Sequence, residues 1–155
     1  MEIAKRPRIG VIGGNRATRK FLDMAYEVGK LIAEKGGILV CGGRGGVMEY
    51  ACRGARGAGG LTIGIIPGAH RIEANPHIDI AIATGMGYTR NSLVVMNSDV
   101  LIAVDGEYGT LSEIAYSIVY EKPIYGLGTW DIKGVIPAAD PKDAVEHAFA
   151  ALKRG

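Results

Sequence analysis

Six short apolar runs punctuate the chain: Ile9–Gly13, Ile38–Gly42, Leu61–Ile66, Ile78–Ala83, Val100–Val104 and Ile124–Leu127. Most are continuous rather than alternating, which predicts strands covered on both faces, as in a parallel sheet. Between them the apolar positions switch to helical spacing. Phe21, Ala25, Val28 and Ile32 share one face, and that segment stops at Gly36-Gly37, a C-terminal signal. Met48 to Ala58 predicts a second helix despite Gly54 and Gly57, each costing about 1 kcal/mol relative to Ala. Leu111, Ile114, Ala115, Ile118 and Val119 keep to one helical face, and a turn entering at Arg90 opens another helix. Ala144, Val145, Ala148 and Leu152 form a last helix, entered at Pro141. Pro67 to Pro76 is expected to be a loop, and Gly128 to Pro137 is ambiguous. The alternation predicts an α/β fold: a Rossmann-like, doubly wound, mainly parallel sheet of six or seven strands with helices on both faces.

Length and composition narrow this further. The 155 residues are expected to form one domain, 1–155, large enough to bury a core without disulfides or a metal. Glycine, at 24 residues, is about twice its usual ~7% share. No Gly-X-Y period accompanies it, so the glycines point to backbone-defined turns. Net charge is +2, from 18 basic and 16 acidic residues. That balance argues against a nucleic-acid partner, which needs clustered Lys and Arg; Lys5, Arg6 and Arg8 read as a solvated end. Cys41 and Cys52 form no CxxC pattern, and His70, His77 and His147 show no ligand spacing, so no metal site is expected. The absence of an 18-residue apolar run or a signal-peptide pattern predicts no membrane partner and a cytoplasmic protein.

In a doubly wound sheet, ligands sit beyond the carboxyl ends of the strands. Four glycine-rich turns fall at such ends: Gly13-Gly-Asn-Arg-Ala-Thr18, Cys41-Gly-Gly-Arg-Gly-Gly-Val-Met48, Gly85-Met-Gly-Tyr-Thr-Arg90 and Asp105-Gly-Glu-Tyr-Gly-Thr110. On one sheet edge, their free amides and the helix ends behind them would favour an anion such as phosphate. Each turn alone is also explained as a tight connection. None has the G-x-G-x-x-G spacing, and no P-loop motif occurs. Arg90 and Glu113 stand out beside these turns. Arg90 reads either as a surface ion-pair partner or as a clamp on phosphate. Glu113, in the first turn after Gly109-Thr110, reads either as part of a Thr110-x-x-Glu113 capping box or as a carboxylate beside a reacting carbon. The two would meet if the strands starting at Ile78 and Val100 were neighbours. Tyr88 and Tyr108 flank the expected crevice, as packing or as a stacking surface for a base.

The segments Gly42-Gly-Arg-Gly-Gly-Val-Met48 and Asp105-Gly-Glu-Tyr-Gly-Thr-Leu-Ser-Glu113 resemble the two signatures of the LOG-like superfamily, G-G-G-x-x-G-x-M and P-G-G-x-G-T-x-x-E. That superfamily contains cytokinin-activating phosphoribohydrolases and molybdenum-cofactor carrier proteins. The resemblance runs from Arg8 to about Leu127, and the Gly-Gly-Arg turn and the Gly-x-Gly-x-x-Arg entry to Arg90 bring it nearer the carrier-like branch. It implies a bound nucleotide or molybdopterin-type ligand, no other required cofactor, a small phosphorylated molecule as partner, and a homodimer or higher homo-oligomer. It further implies that the Gly42–Gly46 turn and the loop around Gly109-Thr110 hold the phosphate; with the other glycine-rich turns, the expected ligand surface comprises Gly13, Gly14, Gly42, Gly43, Arg44, Gly45, Gly46, Gly87, Gly106, Gly109 and Thr110. In the hydrolase branch, Arg90 and Glu113 would be the catalytic pair, cleaving the N-glycosidic bond of a nucleoside 5′-monophosphate. The carrier-like branch keeps both residues. The chain departs from the pattern at Asp105-Gly106-Glu107, which replaces Pro-Gly-Gly, and at Asn91, which replaces a Lys.

Overall fold

The computed structural model describes residues 2–154. Seven strands alternate with five α-helices: β1 (Arg8–Gly13), α1 (Arg19–Glu34), β2 (Ile38–Cys41), α2 (Val47–Gly57), β3 (Thr62–Ile66), β4 (Ile80–Ala83), α3 (Asn91–Met96), β5 (Val100–Val104), α4 (Tyr108–Val119), β6 (Ile124–Leu127), β7 (Val135–Pro137) and α5 (Pro141–Arg154). All strand pairs are parallel, in the order β4-β3-β2-β1-β5-β6-β7. The chain winds outward from β1 to one edge, then crosses back to β5 and winds to the other. The switch point therefore lies between β1 and β5. Gly13 pairs with Val104, so the turns that leave these two strands start level with each other.

Two cores flank the sheet. Ile9, Val11, Leu39, Cys41, Val100, Ile102 and Val104 face α1, α2 and α5, while Ile12, Val40, Ile65, Leu101, Ala103 and Ile124 face α3 and α4. Consecutive residues of β5 alternate between the two, as the period of a strand requires. The α2 glycine that weakened its prediction has a packing reason. A Cβ on Gly54 would strike the Tyr26 carbonyl of α1, and one on Gly29 would strike the Ala51 carbonyl of α2. The helices approach too closely there for any other residue.

Two expectations need correction. β4 is not covered on both faces: it is an edge strand, and Ile80 and Ile82 are 47% and 46% exposed. They pair in register with Ile63 and Ile65, continuing an apolar sheet face beyond the helices that cover it. Nor are the strands starting at Ile78 and Val100 neighbours, since β3, β2 and β1 stand between β4 and β5. The ambiguous Gly128–Pro137 segment supplies the seventh strand, three residues long, at the opposite edge.

Candidate functional site

A cavity of about 350 Å³ opens at the carboxyl end of the sheet over the switch point. Gly13, Gly14, Asn15 and Arg16 of the β1–α1 turn line one side; Glu107, Gly109, Thr110 and Glu113, at and within α4, line the other. Met48 of α2, with Tyr88, Arg90 and Asn91 from the turn into α3, completes the wall.

Arg90 reaches this place without its strand being near. After β4, the chain is pinned over the end of β3: Thr84 Oγ1 donates to the Ile66 carbonyl (2.7 Å), and the Gly85 and Gly87 amides donate to Gly68 and Pro67 (2.9 and 3.0 Å). A 3₁₀ turn, Gly87–Arg90, then aims the guanidinium back across the sheet. Its Nε donates to the Ile65 carbonyl (2.9 Å), Nη2 to the Gly42 carbonyl (3.3 Å), and Nη1 to Asn91 Oδ1. Only 7% of Arg90 is exposed. Burial pulls its affinity for the proton down, with the charge of Glu113 opposing, yet a guanidinium stays protonated in any protein. Gly42 is required here, because a Cβ would lie 2.7 Å from Nη2 of Arg90 and 2.9 Å from Sδ of Met48.

Glu113 is as deeply buried, at 7% exposed. Among the described residues, nothing donates a hydrogen bond to its carboxylate, and no cation lies within the 4.0 Å of an ion pair. Burial pushes its pKa up to about 8, with Arg90 pulling it back and Cys41 adding to the rise. No buried side-chain nitrogen or oxygen among the described residues lacks a partner, so the Glu113 carboxylate oxygens open onto the cavity they line, where a ligand's donors can reach them. The capping-box reading of Glu113 fails on geometry. α4 begins at Tyr108, so Thr110 lies inside the helix and Glu113 in its second turn. The helix starts early because Asp105 and Gly106 take positive φ values of 51° and 112°, and Trp130 Nε1 holds the Glu107 carbonyl at 3.1 Å. Glu107 is thus the N-cap, and its side chain makes no capping bond. The first-turn amides of α4 are left facing the cavity where Gly109 and Thr110 line it.

The structure gathers Gly13, Gly14, Arg90, Gly109, Thr110 and Glu113 around one cavity. Gly42 does not line it but packs behind two residues that do, Arg90 and Met48. Gly43, Arg44, Gly45 and Gly46 do not line it, because their backbone is committed elsewhere. Buried Asn75 donates to the Gly43 and Arg44 carbonyls (2.9 and 2.8 Å), the Gly45 amide donates to Asn15 Oδ1 (2.8 Å), and Gly46, at φ 62°, caps α2. Gly87 and Gly106 also lie outside the lining, Gly106 packed on Thr110. Tyr88 lines the cavity and is 84% exposed; Tyr108 instead pairs with Trp130, ring centroids 5.9 Å apart. Asn15 and Arg16 are the residues that motif reasoning passed over. Their signal was their place in the Gly13-Gly-Asn-Arg turn at the first strand's end. Asn91 is buried between Arg90 and α4, its Nδ2 donating to Ser112 Oγ (3.0 Å) and the Gly109 carbonyl (3.4 Å). Cys41 and Cys52 lie behind the site as free thiols, Sγ to Sγ 3.5 Å.

Comparison with known proteins fits this architecture. The molybdenum cofactor binding protein of the phototrophic bacterium Rippkaea orientalis is 39% identical, with a TM-score of 0.90 over 96% of this chain and 98% of that one. The Moco carrier protein of Chlamydomonas reinhardtii is 38% identical, with a TM-score of 0.89 over 97% and 100% of the two chains. The cytokinin riboside 5′-monophosphate phosphoribohydrolase of Mycobacterium tuberculosis is 33% identical over 72% of this chain, a match spanning 64% of the enzyme's own length. The family model for SLOG cluster4 matches residues 6–151, and the chain belongs to that family.

Proposed function

We propose that this protein binds a small phosphorylated molecule, nucleotide-like or pterin-like, in the cavity over the β1/β5 switch point, in the manner of a molybdenum-cofactor carrier. The observation that carries the reading is the buried, unpartnered Glu113 facing the same cavity as the anchored Arg90. Its support is a likeness to two molybdenum-cofactor proteins over nearly the whole chain. The donor set suits such a ligand. Arg16 and Arg90 offer charge and hydrogen bonds to an anion, while Glu113 accepts from hydroxyl or amino groups of the remainder. At about 350 Å³ the cavity is at the small end of the range for ligand sites. A homo-oligomer accompanies this reading: Ile80 and Ile82 carry an apolar sheet face out to the exposed edge strand β4, a surface that a second copy would cover.

A second reading is favoured by the mycobacterial phosphoribohydrolase likeness together with the Arg90–Glu113 pairing in one cavity. In it, water replaces the base at the sugar carbon, giving free base and ribose 5-phosphate. The Glu113 carboxylate stabilises positive charge at that carbon, and Arg90 holds the departing or phosphorylated part. One experiment separates the two. The purified protein is incubated with a panel of nucleoside 5′-monophosphates, released base is measured, and the small molecules freed on denaturation are identified. Base release lost in both Arg90→Ala and Glu113→Ala selects the enzyme. Absence of release, with a phosphorylated nucleotide or pterin recovered, selects the carrier.

A further inference from the structure

Resting on the reading of the cavity as a phosphorylated-ligand site, its charges say which end of the ligand goes where. The N-terminus of α4 is the place where a helix dipole favours an anion. There the chain puts Glu107, exposed, at the N-cap, a residue of the cavity wall in no ion pair among the described residues. A second carboxyl, Glu113, faces the cavity from the next turn of the same helix, more than nine-tenths buried and unpartnered. Arg16 faces them from the other side. It follows Gly14 and Asn15 in the turn leaving β1, is exposed, and likewise enters no ion pair among the described residues. The level register of Gly13 with Val104 sets these two turns opposite each other. Three of the five N–H groups of Arg90 are committed to Ile65, Gly42 and Asn91, so its one charge and two remaining donors do not offset two carboxyls on the α4 side.

We propose that Arg16 is the anion anchor of the cavity and that Glu107 excludes a dianionic phosphate from the α4 terminus. The ligand is thereby oriented with its phosphate at the β1–α1 turn and its hydroxyl- or amino-bearing part against α4. Both residues are specificity determinants: Arg16 reads the phosphate, and Glu107 decides where it cannot sit.

The test measures the affinity of the full-length protein for adenosine and guanosine 5′-monophosphates, and for the parent nucleosides, by calorimetry at two salt concentrations. Arg16→Ala is expected to weaken monophosphate binding about tenfold or more and to flatten its salt dependence, leaving nucleoside binding unchanged. Glu107→Gln is expected to tighten monophosphate binding about tenfold, the dianion now being free to use the α4 amides. Both side chains are exposed, and thermal unfolding of each variant verifies that it folds. Monophosphate binding that is intact in Arg16→Ala, or unchanged or weakened in Glu107→Gln, overturns the inference alone. Failure of the wild type and both variants to bind these monophosphates or a phosphorylated pterin overturns the cavity reading and the inference with it.

Discussion

Replacing Glu113 by Gln removes one ionisation from the core while keeping shape and hydrogen-bonding capacity, and its effect should depend on pH in a defined direction. Burial raises the Glu113 pKa from an ordinary 4.5 to about 8. Below pH 4.5 the group is protonated in both folded and unfolded chains and contributes nothing that varies with pH. Between 4.5 and 8 the unfolded chain releases a proton that the folded chain keeps, so stability falls as pH rises. Above 8 both forms are ionised and the loss is complete. At about 1.4 kcal/mol per pH unit across that window, the wild type loses up to about 5 kcal/mol, a large share of the stability of a small domain. The Gln variant has no such proton to lose. Urea unfolding of both proteins from pH 4 to pH 9, extrapolated to water, should give stability curves that diverge in favour of the variant from about pH 4.5 and run parallel again above about pH 8. Curves that stay parallel throughout, or a wild type that gains on the variant as pH rises, would show that Arg90 holds the carboxylate ionised and that burial does not dominate.

Other consequences are more local. Gly42→Ala places a methyl group against Nη2 of Arg90 and Sδ of Met48; it should cost about 1–3 kcal/mol in stability and weaken ligand binding more than tenfold, read by unfolding and calorimetry. Asn91→Ala leaves Arg90 Nη1 without its acceptor and removes the bond Ser112 Oγ accepts, so a loss of about 1–3 kcal/mol is expected, together with weaker ligand binding. Lys122 Nζ donates to the Val95, Met96 and Ser98 carbonyls (2.9, 3.0 and 2.6 Å) where α3 ends; Lys122→Met should cost about 1.5–3 kcal/mol in a urea titration with ligand affinity unchanged. If the protein proves to be a hydrolase, turnover that depends on the Glu113 carboxylate should rise with pH to a plateau above about 8, and a rate independent of pH across that range would exclude this role.

The fold was legible because burial on both faces of a parallel sheet writes continuous apolar runs. β7 was not, since three residues, Val135–Pro137, carry no measurable period. The exposure of β4 was hidden for a related reason: Ile80 and Ile82 read as a buried run, and only the strand order reveals an edge. Arg90 and Glu113 could be named from their motifs, but not why they meet. That depends on a chain segment leaving an edge strand and sending one side chain back to the Ile65 and Gly42 carbonyls. The Gly43–Gly46 turn shows the converse. Its glycines suggested ligand contact, whereas its amides and carbonyls are spent on Asn15 and Asn75 and on the start of α2. Arg16 had only its place in the Gly13-Gly-Asn-Arg turn to mark it, and a charged residue in a surface turn has no spacing of its own. It takes the cavity to give it a role.

The central claim concerns where a phosphorylated ligand binds, and amide chemical-shift mapping of the 16.3 kDa protein tests it most directly. Titration with nucleoside 5′-monophosphates and a phosphorylated pterin should give saturable shifts concentrated at Gly13–Arg16, Arg90–Asn91 and Gly109–Glu113, abolished in Arg90→Ala. Shifts that gather instead in the groove around Arg71 and Asp79, or that persist unchanged without Arg90, would contradict it.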